Sequence, residues 1–200
     1  MILSDRDIRR WLAGGGGFVI TPTPADHQIQ PASVDVHVDL TRGAKRPAPL
    51  GVMQEIVVGP EGITGAEWVD DACEGGLRLW PGDCALVVTR ERVVIPPHLS
   101  IQVDGRSSIG RLFLTIHQTA GWCDAGFGMA QAAAGGCPIV LELVNHSPRT
   151  IRLLDGARIG QLKVVRLSTQ ADRPYGSAGL GSHYADQQDV RPPAQLGEEG

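Results

Sequence analysis

Aromatic residues are scarce in this 200-residue chain: three Phe, four Trp and two Tyr, or 4%. Long apolar runs are also missing. No stretch approaches the roughly 18 apolar residues that a spanning helix requires, so no membrane segment and no membrane partner is expected. Lys and Arg are never clustered, and the formal net charge is −4. Neutralising a phosphate backbone needs a basic face, so nucleic acid is not the expected partner. A small anionic ligand stays open, because a site for one needs only a few local cations. The four cysteines, Cys73, Cys84, Cys123 and Cys137, form no Cys-x-x-Cys pair and no zinc spacing with His. They read as isolated thiols of a reducing cytoplasm. The opening MILSDRDIRRWL is charged from residue 5 and lacks the apolar centre of a signal peptide.

Turn chemistry, by contrast, is abundant. With 26 Gly and 14 Pro, and 42% hydrophobic against 20% charged residues, the composition suits a globular domain of short strands joined by tight turns. Ser4 to Leu12 reads as a short helix: Ser4 at the N-cap, Asp5 and Asp7 in the first turn, and Ile8, Trp11 and Leu12 on one face. SVDVHVDL (33–40) alternates as a half-buried strand, with Asp35, His37 and Asp39 on its solvent side. Residues 41–76 are poorly patterned and read as an excursion with one or two strands. From residue 77 turn signals recur about every ten residues, the mark of an all-β barrel or sandwich. After Ser168 the chain becomes polar and Gly-rich, which predicts a barrel over 1–168 and an arm over 169–200 whose order depends on a partner or ligand.

Three stretches carry candidate chemistry. GRSSIGR (105–111) sets two serines between glycines and arginines. Flexible backbone, hydroxyl donors and guanidinium forks together suit a phosphate; a Gly-flanked turn with solvated arginines is an equal alternative. TAGWCDAGF (119–127) leaves a gap at Ala120 and Gly121 where a planar base can approach the backbone, with Asp124 beyond it for a sugar hydroxyl. A β-bulge with an aspartate in its turn explains that stretch as well. In IVLELVN (139–145), Ile139, Leu141 and Leu143 alternate with Val140, Glu142 and Val144, so both faces are apolar over 139–144 except at Glu142. A carboxyl there is costly unless paired or functional. Burial would raise its pKa, as suits a general base, and a Glu–Arg structural pair is the competing explanation.

Taken together with SDRDI, QPASVDV, RIGQL and RPYGS…HYADQ, these stretches follow the order and spacing of the dCTP deaminases, within the dUTPase-like superfamily. The resemblance runs over nearly the whole chain and is weakest over 41–76. It implies an all-β, distorted dUTPase-like barrel with a short N-terminal helix and a C-terminal arm, assembled as a cytoplasmic homotrimer with active sites between subunits. It implies deamination of dCTP, with the dUTP formed passing on to dUMP and pyrophosphate if the chain belongs to the bifunctional branch, as Gly121 and Trp122 suggest. By the same resemblance Glu142 is the catalytic base and Arg111 orients it. Arg106, Ser107 and Ser108 hold phosphate, Thr119, Ala120 and Gly121 read the pyrimidine, and Asp124 meets the deoxyribose. Gln161 lies in the IGQL strand, and Tyr175, His183, Tyr184 and Gln187 belong to the closing arm. Magnesium is the implied cofactor, held mainly by the triphosphate with no protein metal site. A dUTP diphosphatase alone and a non-catalytic nucleotide-sensing trimer are the alternatives.

Two departures stand out. GMAQAAAGGCP (128–138) is longer than the family's turn by about eight residues, by resemblance. If it bulges at a hairpin tip the site survives, and if it slips the register by one residue Glu142 faces the wrong way. His183 stands where the family arm usually has Lys, which weakens a phosphate contact near neutral pH.

Overall fold

The computed structural model describes residues 1–14, 16–49, 55–60 and 62–194. The last six positions of the arm, and Gly15 of the Gly run, lie outside these. The expected helix forms as α1, Asp5–Leu12, with Ser4 extended at the N-cap position but making no side-chain cap bond. Ile8 is fully buried, and Trp11 and Leu12 pack on the same core. Burying a side chain of that size contributes roughly 1.5–3 kcal/mol, enough to pin a helix too short to persist alone.

The described residues then form fifteen strands: β1 (Val19–Thr21), β2 (Ile29–Gln30), β3 (Ser33–Asp39), β4 (Ala44–Pro47), β5 (Val57–Gly59), β6 (Gly62–Thr64), β7 (Trp68–Asp71), β8 (Leu77–Leu79), β9 (Cys84–Val94), β10 (Leu99–Gly105), β11 (Leu114–Thr115), β12 (Trp122–Cys123), β13 (Cys137–Asn145), β14 (Ile151–Leu153) and β15 (Arg158–Arg166). The main sheet runs β11-β13-β9-β3-β15-β10-β12, with β1 and β4 added to β9, β2 to β3 and β7 to β4. It curls into a half-barrel, and the expected mainly β class is what forms. Inward side chains such as Val34, Val36, Leu141, Leu143, Leu162 and Val164 have no exposed surface and fill the centre.

Two expectations change. The excursion over 41–76 holds four strands, β4 to β7, where one or two were expected. They are only three or four residues long and pair locally, β4 with β7 and β5 with β6, too short for an alternation to show. β3 is not half-buried either. It sits between β9 and β15, and its polar face is covered: Asp35 is 1% exposed, and His37 Nδ1 lies 2.7 Å from Oε1 of the buried Glu91. Charged partners from other strands close that face, and period alone could not reveal them.

The long turn after Phe127 resolves at the tip of β13. Met129–Ala134 winds as a 3₁₀ helix between Gly128 and Gly135, both left-handed. The β9–β13 register shifts once, between Pro138 and Val140, and is regular from Val140 to Val144. The irregularity is therefore absorbed before Glu142, which stays on the face with Val140 and Val144.

Candidate active site

β13 buries Cys137, Ile139, Leu141, Leu143 and Asn145 and turns Val140, Glu142 and Val144 to the other face. That face forms the floor of a cavity of about 840 Å³ lined by Glu142, Ala120, Asp124, Tyr175, His183, Tyr184 and Gln187. Seven residues singled out from sequence thus share one cavity. Gln118, Trp68 and Cys84 line it too and were not foreseen. Gln118 contributes through its main chain, which carries no side-chain signature, and Trp68 comes from the unpatterned 41–76 segment.

Glu142 is half-buried, and its Oε2 accepts the backbone N–H of Gln118 over 2.9 Å. The N–H of Glu142 donates to the Ile116 carbonyl at 2.9 Å. One carboxyl oxygen is thus fixed by main chain, in a cavity whose floor is otherwise apolar. Thr119 is exposed and, with Gly121, lies outside the lining. The gap expected at Gly121 is taken up within the chain: a Cβ there would meet the His117 ring at 2.8 Å and the Val103 carbonyl at 3.0 Å.

The arm folds back over this cavity. The Tyr175 N–H donates to the Ala125 carbonyl at 2.7 Å, and its phenol oxygen accepts the N–H of Tyr184 at 3.0 Å. Burial pushes the Tyr175 phenol above its ordinary pKa, with the Tyr184 N–H pulling the other way, so it stays protonated at neutral pH. Gln187 is 4% exposed and donates to the Pro138 carbonyl at 3.1 Å. His183 is exposed at the rim.

The serine–arginine stretch lies elsewhere. Ser107–Gly110 forms a single helical turn, α2, with Arg106 at its N-cap position. Arg106, Ser107, Ser108 and Gln161 line a separate cleft of about 310 Å³ with Ser33 and Asp35. Gln161 is engaged at both ends: its Oε1 accepts from Ser33 Oγ at 3.1 Å, and its Nε2 donates to the Gly105 carbonyl at 3.3 Å. It braces the cleft. Neither Gly105 nor Gly110 takes a positive φ, so the special backbone geometry expected of them is absent. Arg111 is exposed at the C-cap of α2. It lines neither the cleft nor the cavity of Glu142. Within one chain, Arg111 and Glu142 are not brought together.

Fold and clefts define a mainly β protein with an acid-bearing apolar cavity and, apart from it, a serine–arginine cleft. The chain belongs to the dCTP deaminase-like family, whose model matches residues 2–167. It is 40% identical over 194 residues to a dCTP deaminase of Haloarcula marismortui, covering 94% of this chain and 91% of that one. It is 37% identical over 192 residues to a dUMP-forming dCTP deaminase of Corynebacterium glutamicum, covering 96% and 95%. Among solved structures, the 2'-deoxycytidine 5'-triphosphate deaminase of Agrobacterium tumefaciens matches with a TM-score of 0.54 and 25% identity, over 82% of this chain and 47% of that longer one.

Proposed function

We propose that the chain deaminates dCTP at C4 of the cytosine, and that it carries the resulting dUTP on to dUMP and pyrophosphate. The observation that carries the first part is Glu142: a carboxyl held by the Gln118 N–H on an otherwise apolar cavity floor. In this reading Glu142 takes a proton from a water beside C4. The hydroxide adds to C4 and the carboxyl passes the water's proton to the ring nitrogen N3. The carboxylate then takes the proton of the new C4 hydroxyl and delivers it to the amino group, the C4–N bond breaks, ammonia leaves and the C4 carbonyl forms. Water and dCTP become dUTP and ammonia. Main-chain groups around Ala120 face the ring and stabilise the charge that builds on it. The half-buried phenol of Tyr175 and the buried Gln187 hold the arm across the cavity and exclude bulk water.

The phosphate cleft and the Glu142 cavity are separate in one chain, yet one nucleotide needs both. A homotrimer satisfies this, with the cleft of one copy completing the cavity of the next and bringing a neighbour's Arg111 toward Glu142. The described residues hold no group of three or more His, Cys, Asp or Glu arranged for a metal; a magnesium ion fits here as a companion of the triphosphate, whose charge it would neutralise. Support for the second step comes from the dUMP-forming relative and from Gly121 and Trp122. No helix among the described residues is long and apolar enough to cross a membrane, and a cytoplasmic enzyme is part of the proposal.

The test is to incubate purified protein with dCTP and magnesium and assay ammonia and pyrophosphate separately. Both products support the two-step reading, and ammonia alone restricts it to deamination. Pyrophosphate from dUTP without ammonia from dCTP replaces it with a diphosphatase. Binding of dCTP with neither product replaces it with a nucleotide sensor.

A further inference from the structure

Asp35 was expected to be a solvent-side residue of β3. It is instead the most buried acid of the serine–arginine cleft, with its side chain 2% exposed. Its two oxygens serve two different arginines: Oδ1 lies 3.2 Å from Arg106 Nε, and Oδ2 lies 3.4 Å from Arg158 Nη1. The backbone beneath it is fixed as well. Gln28 Nε2 donates to the Asp35 carbonyl at 3.1 Å and to Glu91 Oε1, also at 3.1 Å, and both Gln28 and Glu91 are buried.

The choice of nitrogen on Arg106 matters. An ion pair made at Nε leaves the two terminal nitrogens of the guanidinium for other partners. That pair is the fork that grips two oxygens of a phosphate. Arg106 remains 28% exposed and shares the cleft with Ser107 and Ser108, whose hydroxyls can bind the same anion. Arg158, 40% exposed, adds a second cation held by the same carboxyl. Two arginines side by side would repel each other without Asp35 between them.

From this geometry we infer that Asp35 is the positioning residue of the phosphate site: it presents Arg106 as a preset fork and keeps Arg158 beside it, without touching the nucleotide itself. The inference rests on the nucleotide reading of the cleft given above. It assigns to Asp35 the affinity for the phosphate tail and no part in the chemistry at C4.

The test is a cycle of Asp35→Asn, Arg106→Ala and the double variant, with assembly state and melting recorded for each. Asp35→Asn keeps the volume and removes the charge. The expected result is a KM for dCTP raised at least about 10-fold with kcat nearly unchanged, as loss of a charge-assisted contact predicts. The double variant should then be no worse than Arg106→Ala, because Asp35 acts through that arginine. An unchanged KM in Asp35→Asn, a loss confined to kcat, or simple additivity overturns the inference. If Asp35→Asn does not fold, Asp35→Ser decides: a raised KM with kcat kept supports the inference and a wild-type KM overturns it. Calorimetric binding of inorganic tripolyphosphate separates this from the deaminase reading. Wild-type protein that binds tripolyphosphate more tightly than Asp35→Asn, yet releases no ammonia from dCTP, would sink the deaminase and leave the phosphate site standing.

Discussion

Glu142 is held by the main chain of the segment that follows β11: the Gln118 N–H reaches Oε2 over 2.9 Å, and the Ile116 carbonyl takes the Glu142 N–H at the same distance. The orientation of the acid therefore depends on the backbone of 116–118, immediately before the Thr119–Gly121 stretch. Substitutions that leave this backbone in place change the chemistry of the site and not its shape.

Thiol reactivity reports on the cavity. Cys84 is exposed and lines it. Desolvation first, and the nearby Asp71 and Asp124 next, push the thiols of Cys73 and Cys123 up to about 11 and about 12, so little thiolate exists there at neutral pH. Iodoacetamide at neutral pH should label Cys84 first, and dCTP should slow that labelling, as read by peptide mass spectrometry. Faster labelling of Cys73, which is buried, would contradict this account.

The arm should be separable from the barrel. Val190 packs on Leu86 and Val88, Gln187 bonds to β13 and Asp189 pairs with Arg42 at 2.5 Å, yet among the described residues no strand of the sheet comes from beyond residue 166. A chain ending at Ser168 should melt cooperatively while kcat/KM for dCTP falls at least about 100-fold, the scale set by lost positioning. A truncated chain that fails to fold would show that the arm is part of the core.

The insertion is anchored by backbone geometry. Gly136 has a φ of +97°, and a Cβ there would sit 2.2 Å from the Val93 carbonyl oxygen. Gly136→Ala should cost roughly 1–3 kcal/mol from strain in that region of φ, ψ space, measured by urea unfolding. Equal stability would mean that the turn does not pack against β9 as described.

Acid sensitivity has an identified contributor. Burial raises the pKa of Asp104, but Lys163 Nζ at 2.5 Å and the Gly105 N–H at 2.9 Å outweigh it and hold the carboxyl below its ordinary range. A depressed carboxylate stabilises the fold above the ordinary value of about 3.9 and loses that contribution as the pH falls through its folded value. Asp104→Asn should therefore melt below wild type at neutral pH, and the gap should close in the acid range. A gap independent of pH would remove the ion pair from the account.

Much of this was legible in the sequence because it was encoded locally. The α1 face, the β13 alternation and the recurrent turns carry their own periods, and Glu142 stood out as the single charged residue of an apolar strand. What was not legible depends on contacts distant in sequence. Asp35 lies 71 positions from Arg106 and 123 from Arg158, so its burial cannot be read from the alternation of β3. The strands of 41–76 are too brief to show a period, and Trp68 was lost with them. Gln118 acts through its amide, which any residue type supplies. The separation of Arg111 from Glu142 was hidden for another reason: motif order along a chain does not say which motifs come to share a cavity.

The most direct test of the central claim is the rate of ammonia release from saturating dCTP by wild type and by Glu142→Gln. The glutamine keeps an oxygen to accept the Gln118 N–H, so fold and assembly should hold, as checked by melting and by molecular mass in solution. The account predicts release by wild type and a loss of at least about 1,000-fold in the variant, within the range for removing a general base. Ammonia release by Glu142→Gln at the wild-type rate would contradict it.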